Sequence, residues 1–489
     1  MEPTYIGAIV LLAGLIAFRK QMTVMLLVVV VATIFGAASA VNMTALGGSS
    51  IQPAVFALAF LAARMAVSPD LLSNGMERSL KDSLLFGLFA FYGFLSAYVF
   101  PRLFYHQIEL PPTKVISAAA FAVVPLAPSS QNITQSTYLL GTFFVVLATA
   151  FIARQERRSR LVAMTLIYLG IAHVVFGVLD VVFATAGLPI LDVVRNANYS
   201  IVDQTFGGLR RIQGTFAETS SYSAYGLALL VFTTEMWLRG IEERLTGWTS
   251  LALAVALFFT TSSSAYFGLG VYGLILGART IYFPSPMAQR KGFILACFAL
   301  IAAVAVLTVC VALPAVAELF SRMLAEMTIN KQKSFSGIQR GFWVEKAWEA
   351  FTFSKGVGVG VGSFRSSSLV SAVAGATGLP GLIAFGLFLY KVLPLHKLST
   401  YQLTGNRTEA VGAAAGWAAI VGLAPAMVSG ANPDPGVMFA FLAGLAMAWA
   451  PRGQAALAAA SSAPAGAASA RPEHAMASTS LEARSRPAD

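Results

Sequence analysis

The sequence predicts an all-α, polytopic integral membrane protein of about 12 to 14 transmembrane helices, with two long loops on one side of the membrane. Three observations predict this. Hydrophobic residues make up 57% of the 489 and charged residues only 11%, where a soluble domain carries about a quarter charged residues. The apolar residues fall into blocks of about 17 to 25, the length that crosses a hydrocarbon core as a helix. Lys and Arg gather in short clusters between these blocks, as the positive-inside rule requires of cytoplasmic loops. A barrel is excluded, because stretches such as Met22 to Ala40 and Phe293 to Pro314 lack the alternation of barrel strands.

The basic clusters Arg19/Lys20, 64–81, 154–160, 239–244, 279–291 and 391–407 mark the cytoplasmic side. Threading the chain through them gives a periplasmic N-terminus and spans at 4–18, 22–40, 51–67, 83–101, 137–153, 161–187, 221–238, 248–260, 264–280, 292–314, 373–392, 409–428 and 434–450. The first apolar run precedes its positive charges and reads as a retained span rather than a cleaved signal. Val115 to Pro128 is apolar, but a span there would put neighbouring basic clusters on the wrong side, so a re-entrant or interfacial segment is expected. Residues 1–136 form the N-terminal helices, 137–392 a core, 393–450 the last helices. The tail 451–489, rich in Ala, Ser and Pro, has the composition of a disordered segment.

The net charge of +11 does not indicate a nucleic-acid partner, since the basic residues are accounted for as topology signals. Cys297 and Cys310 share one apolar block, about 20 Å apart on a helix, and cannot pair with each other. Four scattered histidines and no CxxC give no support to a metal or redox centre.

Chemistry is expected in the two long outer loops, 188–220 and 315–372. In the first, the run from Gly207 to Tyr222 places Arg210, Arg211, Gln213 and Glu218 just before a span. Guanidinium forks suit phosphate oxygens and keep their charge, so the two arginines fit a pyrophosphate at the membrane surface. Contact with lipid headgroups or pairing with Asp203 is the competing reading. Glu218, seven residues beyond Arg211, would share its face if the segment were already helical, and could take a proton from a hydroxyl nucleophile. It could equally do no more than complement the dipole of the following helix.

In the second loop, Leu319, Phe320, Met323, Leu324 and Met327 form one apolar face opposed by Glu318, Arg322 and Glu326, the pattern of an interfacial helix. Trp343, Ala347, Ala350 and Phe351 form another, opposed by Glu345 and Glu349, so this loop reads as a lid of short helices. Arg340 and Trp343 lie here, followed by an alternating-glycine run that contains Gly358 and Gly360 and ends at Arg365. Such glycines can shape an anion-binding nest, or serve only a tight return to the next span. The run is not a nucleotide-binding loop, since GxxxxGK[ST] is not matched. Within the spans ionisable groups are scarce, Asp180 near an outer end and Glu235 near an inner end, which weighs against ion-coupled transport. The turn Thr260 to Tyr266 reads as a polar break between two spans.

With these residues on the page, the chain resembles the bacterial O-antigen ligase and polymerase superfamily. The resemblance covers roughly residues 137–392. It rests on RRIQGTFAETSSYSAY before one span, FFTTSSSAYFGLGVYGLI across the next pair, GIQRGFWVEKAWEAF in the second loop, and GVGVGVGSF leading to GLPGLIAF. It implies glycosyl transfer from an undecaprenyl-pyrophosphate-linked oligosaccharide to a sugar hydroxyl, at the outer face of the bacterial inner membrane, without cofactor or obligatory metal. It assigns pyrophosphate binding to Arg211, Arg210 and Arg340. It also admits polysaccharide chain-length and export proteins as partners, besides membrane lipids. A ligase-type histidine is missing between Phe364 and Gly378, the turn at Ser262 lacks its arginine, and the spaced Arg-and-Gly motif of some O-antigen polymerases is unmatched. An exopolysaccharide polymerase therefore fits better than a ligase. The rival from another class is a transporter or flippase for a lipid-linked glycan, or a non-catalytic member of an export complex.

Overall fold

The computed structural model describes residues 2–43, 49–69, 73–113, 121–188, 190–197, 205–206, 209–282, 286–314, 317–318, 321–322, 325, 334–393 and 406–450. The chain is an all-α, multi-pass membrane protein. Among the described residues, six helices are long and apolar enough to cross a membrane. They are α4 (Asn74–Leu103), α5 (Ser130–Glu156), α6 (Ser159–Thr185), the Gln289–Ala312 stretch of α10 (Pro286–Ala312), α12 (Leu369–Val392) and the pair α13 (Arg407–Val421) and α14 (Ala424–Ser429). Four shorter apolar helices join them: α1 (Tyr5–Phe18), α2 (Met22–Ala32), α3 (Pro53–Ala66) and α15 (Gly436–Ala448). Between them in the chain lie α7 (Thr219–Leu238), α8 (Glu243–Phe259) and α9 (Ser263–Tyr282), and α11 (Phe335–Phe353) lies in the second long loop.

Lipid tails are as apolar as leucine, so helices in a bilayer associate by close fit and polar contacts rather than by expulsion of water. Small residues provide the fit here. A Cβ on Gly444 would meet Thr149 at 2.6 Å, and one on Gly412 the Trp449 carbonyl at 2.3 Å, so α15 lies close against α5 and α13. Helix α7 is buried almost all round, with Tyr222, Leu227, Val231, Phe232 and Met236 inside, and α6, α8, α9 and α13 surround it.

The basic clusters meet at one end. Glu235 on α7, wholly buried, pairs with Arg239 and Arg279 and accepts from the Tyr272 hydroxyl at 3.2 Å. Lys291 pairs with Glu243 at 2.9 Å, Arg407 with Glu242 at 3.1 Å and Lys391 with Asp82 at 2.9 Å. Buried charge is tolerable only when paired, and each carboxylate here answers a cation from another helix. The clusters at 64–81, 239–244, 279–291 and 391–407 thus share a side, as the charge pattern requires.

One expected span needs correction. The span 22–40 is not one helix: α2 stops at Ala32, and the chain turns away to seat the first long loop. There the Ala37 amide donates to the Thr215 carbonyl at 2.9 Å, and the Ser39 amide to the Asn196 side chain at 2.7 Å. Gly36 lies under the Phe216 ring, which a Cβ would meet at 2.3 Å. The expected span 409–428 is matched by α13 and α14 together, which meet at a tight turn at residues 422–423 within one membrane-length segment.

The segment expected to be re-entrant is helix-free over its described part, residues 121–128; its Val124–Pro125 strand pairs antiparallel with Glu109–Leu110. Short antiparallel pairs also join Glu2–Pro3, Val41–Met43 and Ser49–Ile51, and Thr205–Phe206 with Leu209–Arg210. Most of the interfacial helix expected from Leu319 to Met327 lies outside the described residues, as do Asp203 and the tail 451–489.

Candidate functional site

The end of the bundle opposite the basic clusters gathers residues from both long loops. Helix α7 begins beside Glu218 and ends near Glu235, so its 20 residues separate the two ends by about 30 Å. Residues 211–218 are not helical, which corrects the expectation that Arg211 and Glu218 lie two turns apart on one helix face. The two are brought into one site by the second loop.

Arg211 reaches the break between α8 and α9. Its Nη2 donates to the Thr261 carbonyl at 2.8 Å and its Nε to the Thr260 carbonyl at 3.4 Å. Thr261 takes a left-handed backbone, φ +50°, which points these carbonyls away from helix geometry. The Tyr266 hydroxyl, one turn into α9, donates to the Phe258 carbonyl at 2.7 Å and closes the same break.

Arg340 and Trp343 sit on α11. The expected apolar face of this helix holds, with Ala347 and Ala350 buried and Glu345 and Glu349 exposed. Ser334 caps the helix, its hydroxyl accepting from the Gly337 amide. The Ser367 hydroxyl donates to the Arg340 carbonyl at 2.8 Å and ties α11 to the turn that carries Arg365. The Arg365 guanidinium lies over the Trp343 ring, 4.5 Å from its centroid.

Charge links the groups. Burial lowers the pKa of Arg211 from its ordinary value, and the Arg340 charge lowers it further, while Tyr266 opposes the shift. Burial likewise lowers Arg340, with Glu218 opposing and Arg365 adding to the shift. Arg211, Arg340, Arg365 and Glu218 therefore form one electrostatic cluster of three cations and one carboxylate. Half-buried like charges repel, and an anion placed among them would relieve that repulsion. Glu218 occupies the N-cap position of α7 without capping it; its carboxylate instead accepts from the Ser220 hydroxyl at 3.0 Å.

Other candidates fall elsewhere. Arg210 pairs with Asp180 at 3.4 Å. Gln213 is fully buried, and its amide donates to Asp180 at 2.8 Å. The glycine run approaches the chain's own helices: a Cβ on Gly358 would meet the Ala376 carbonyl oxygen at 2.5 Å, and one on Gly360 that of Ser96 at 2.7 Å. The Gly358 amide donates to the Ser354 hydroxyl, and the Val359 and Gly360 amides to the carbonyls of Gly375 and Ala376. An anion nest would need those donors, so these three amides are taken up by the tight return of the chain.

Sequence reasoning missed Arg195, which is buried and holds Asp180 at 2.5 Å. A signal existed, since a carboxylate near the outer end of a span requires a cation and Arg195 follows 15 residues later. No group of three or more His, Cys, Asp and Glu side chains able to hold a metal occurs among the described residues.

The fold defines a multi-pass helical membrane protein, and the site an arginine cluster with one carboxylate at the end away from the basic loops. No protein-family model matches the chain, and no curated protein matches it.

Proposed function

We propose that the protein is a bacterial inner-membrane glycosyltransferase that polymerises undecaprenyl-pyrophosphate-linked glycan repeat units at the periplasmic face, in the manner of exopolysaccharide or O-antigen polymerases. In this reading the chain crosses the membrane about 12 to 14 times, and its two long loops are periplasmic. The observation that carries the proposal is that Arg340, from the second loop, lies within electrostatic reach of both Arg211, from the first, and Glu218. The acceptor hydroxyl attacks the anomeric carbon of the donor sugar, and its proton passes to Glu218. The bond from that carbon to the phosphate oxygen breaks, and the electron pair leaves with the pyrophosphate. Arg211 and Arg340 stabilise the charge that develops there, with Arg365 behind them.

A cavity of about 1760 Å³ supports a lipid-linked substrate. It lies between α7, α8, α9 and α10 and is lined by side chains such as Leu230, Leu251, Val255, Phe259, Leu276 and Leu307. Phe259 immediately precedes the carbonyls held by Arg211, so an apolar tail in the cavity would leave its head at the arginines. The cavity also reaches Glu242 and Trp248 at the basic end of α8. That length favours, as a second reading, a flippase in which the arginines hold the headgroup without chemistry.

The test in cells is Arg211→Ala and Arg340→Ala in a chain that still inserts. The proposal expects shortened or absent polymer, and unchanged chain length in either variant overturns it.

A further inference from the structure

The first long loop turns back towards α7 through Gln213 and Gly214, and a buried ion pair grips that turn from both sides. The Asp180 carboxylate accepts from the amides of Gln213 at 2.8 Å and Gly214 at 2.9 Å. Its other oxygen pairs with Arg195 at 2.5 Å. Arg195 in turn donates from Nε to the Gly214 carbonyl at 2.9 Å, and Nη2 reaches the same oxygen. Both side chains are almost wholly buried, 1% exposed for Arg195 and 2% for Asp180. Gly214 has φ +55°, and its missing Cβ would meet the Tyr222 ring at 2.8 Å, so the turn has no room to slide.

Two buried charges gain little net stability from each other, and a hydrophobic pair of similar size would hold a core as well. A carboxylate and a guanidinium, however, can grip one residue, Gly214, by its amide and its carbonyl together. The gripped residues Gln213 and Gly214 lie two and three positions from Arg211.

We propose that Asp180 and Arg195 are positioning residues that clamp the turn at Gln213 and Gly214 and thereby hold the Arg211 guanidinium towards Arg340, in register for an anionic phosphate ligand. This rests on reading the arginine cluster as an anion site.

The test uses the full-length protein in nanodiscs, with inorganic pyrophosphate as the probe, calorimetry for affinity and thermal melting for folding. The variants are Arg195→Lys, Asp180→Asn, Arg211→Ala and the double variant Arg195→Lys/Arg211→Ala. Lys keeps the charge but lacks the fork, and Asn keeps an acceptor but lacks the charge. Each clamp variant is expected to weaken pyrophosphate binding about tenfold, since a small misplacement of a binding group costs that much or more. In the Arg211→Ala background, Arg195→Lys should weaken it no further, because the effect travels through Arg211. Unchanged affinity in a folded clamp variant overturns the proposal, and so does additivity in the double variant. If neither clamp variant folds, the pair is a stability element and the proposal falls. If Arg211→Ala itself binds normally, the reading of the arginine cluster falls with it.

Discussion

On the extended segment before α7, successive side chains face opposite ways, and two adjacent arginines are separated by that alternation. Arg210 turns to Asp180 and Arg211 to the α8–α9 break and Arg340. Arg210→Ala should therefore leave polymer length much nearer to wild type than Arg211→Ala does, measured by gel separation of the glycan in matched membranes. Equal loss in both would show that the sequence pair acts as one unit. Residue type singled the arginines out as the proposed phosphate binders, because few other groups on an apolar chain can hold that anion. Their separate partners were not legible, since Asp180 lies on the preceding helix and the loop fold decides which arginine reaches it.

Among the elements, the alternating-glycine return shows how far sequence pattern reaches. The spacing in Gly356 to Gly362 announces close backbone approach, but not what is approached. Gly360 has φ +101° and meets the Ser96 carbonyl, so Gly360→Ala should destabilise the protein by about 1–3 kcal/mol, from backbone strain and the displaced carbonyl. Gly341 on α11 has open space at its missing Cβ, and Gly341→Ala should stabilise by about 0.5–1 kcal/mol. Thermal melting of the two variants checks the pair, and a neutral Gly360→Ala would contradict the packing described here. The helix α11 itself was legible from the apolar face of Ala347 and Ala350 against Glu345 and Glu349. The early end of α2 was not, because Thr33 to Ala40 are apolar enough for a span, yet they leave the helix and bond to distant segments, among them Thr215, Asn196 and Ile51.

For the molecule as a whole, hydropathy and basic clusters sufficed to give the fold class and to place the charged loops on a shared side. Helix length was less legible at α2, which ends at Ala32, well short of the apolar block that contains it. The two ends of the bundle use charge differently. At the basic end Glu235 has two cations, whereas at the other end Arg340 feels the charges of Arg211 and Arg365 as well as that of Glu218. An excess of cations that cannot easily shed their protons is suited to an anionic leaving group, and this is the central claim. Its most direct measurement is incubation of the purified protein with a lipid-pyrophosphate-linked repeat unit, followed by separation of the products by length. The proposed chemistry predicts a ladder of longer glycans from wild type and none from Arg211→Ala or Arg340→Ala; a full ladder from either variant would contradict it.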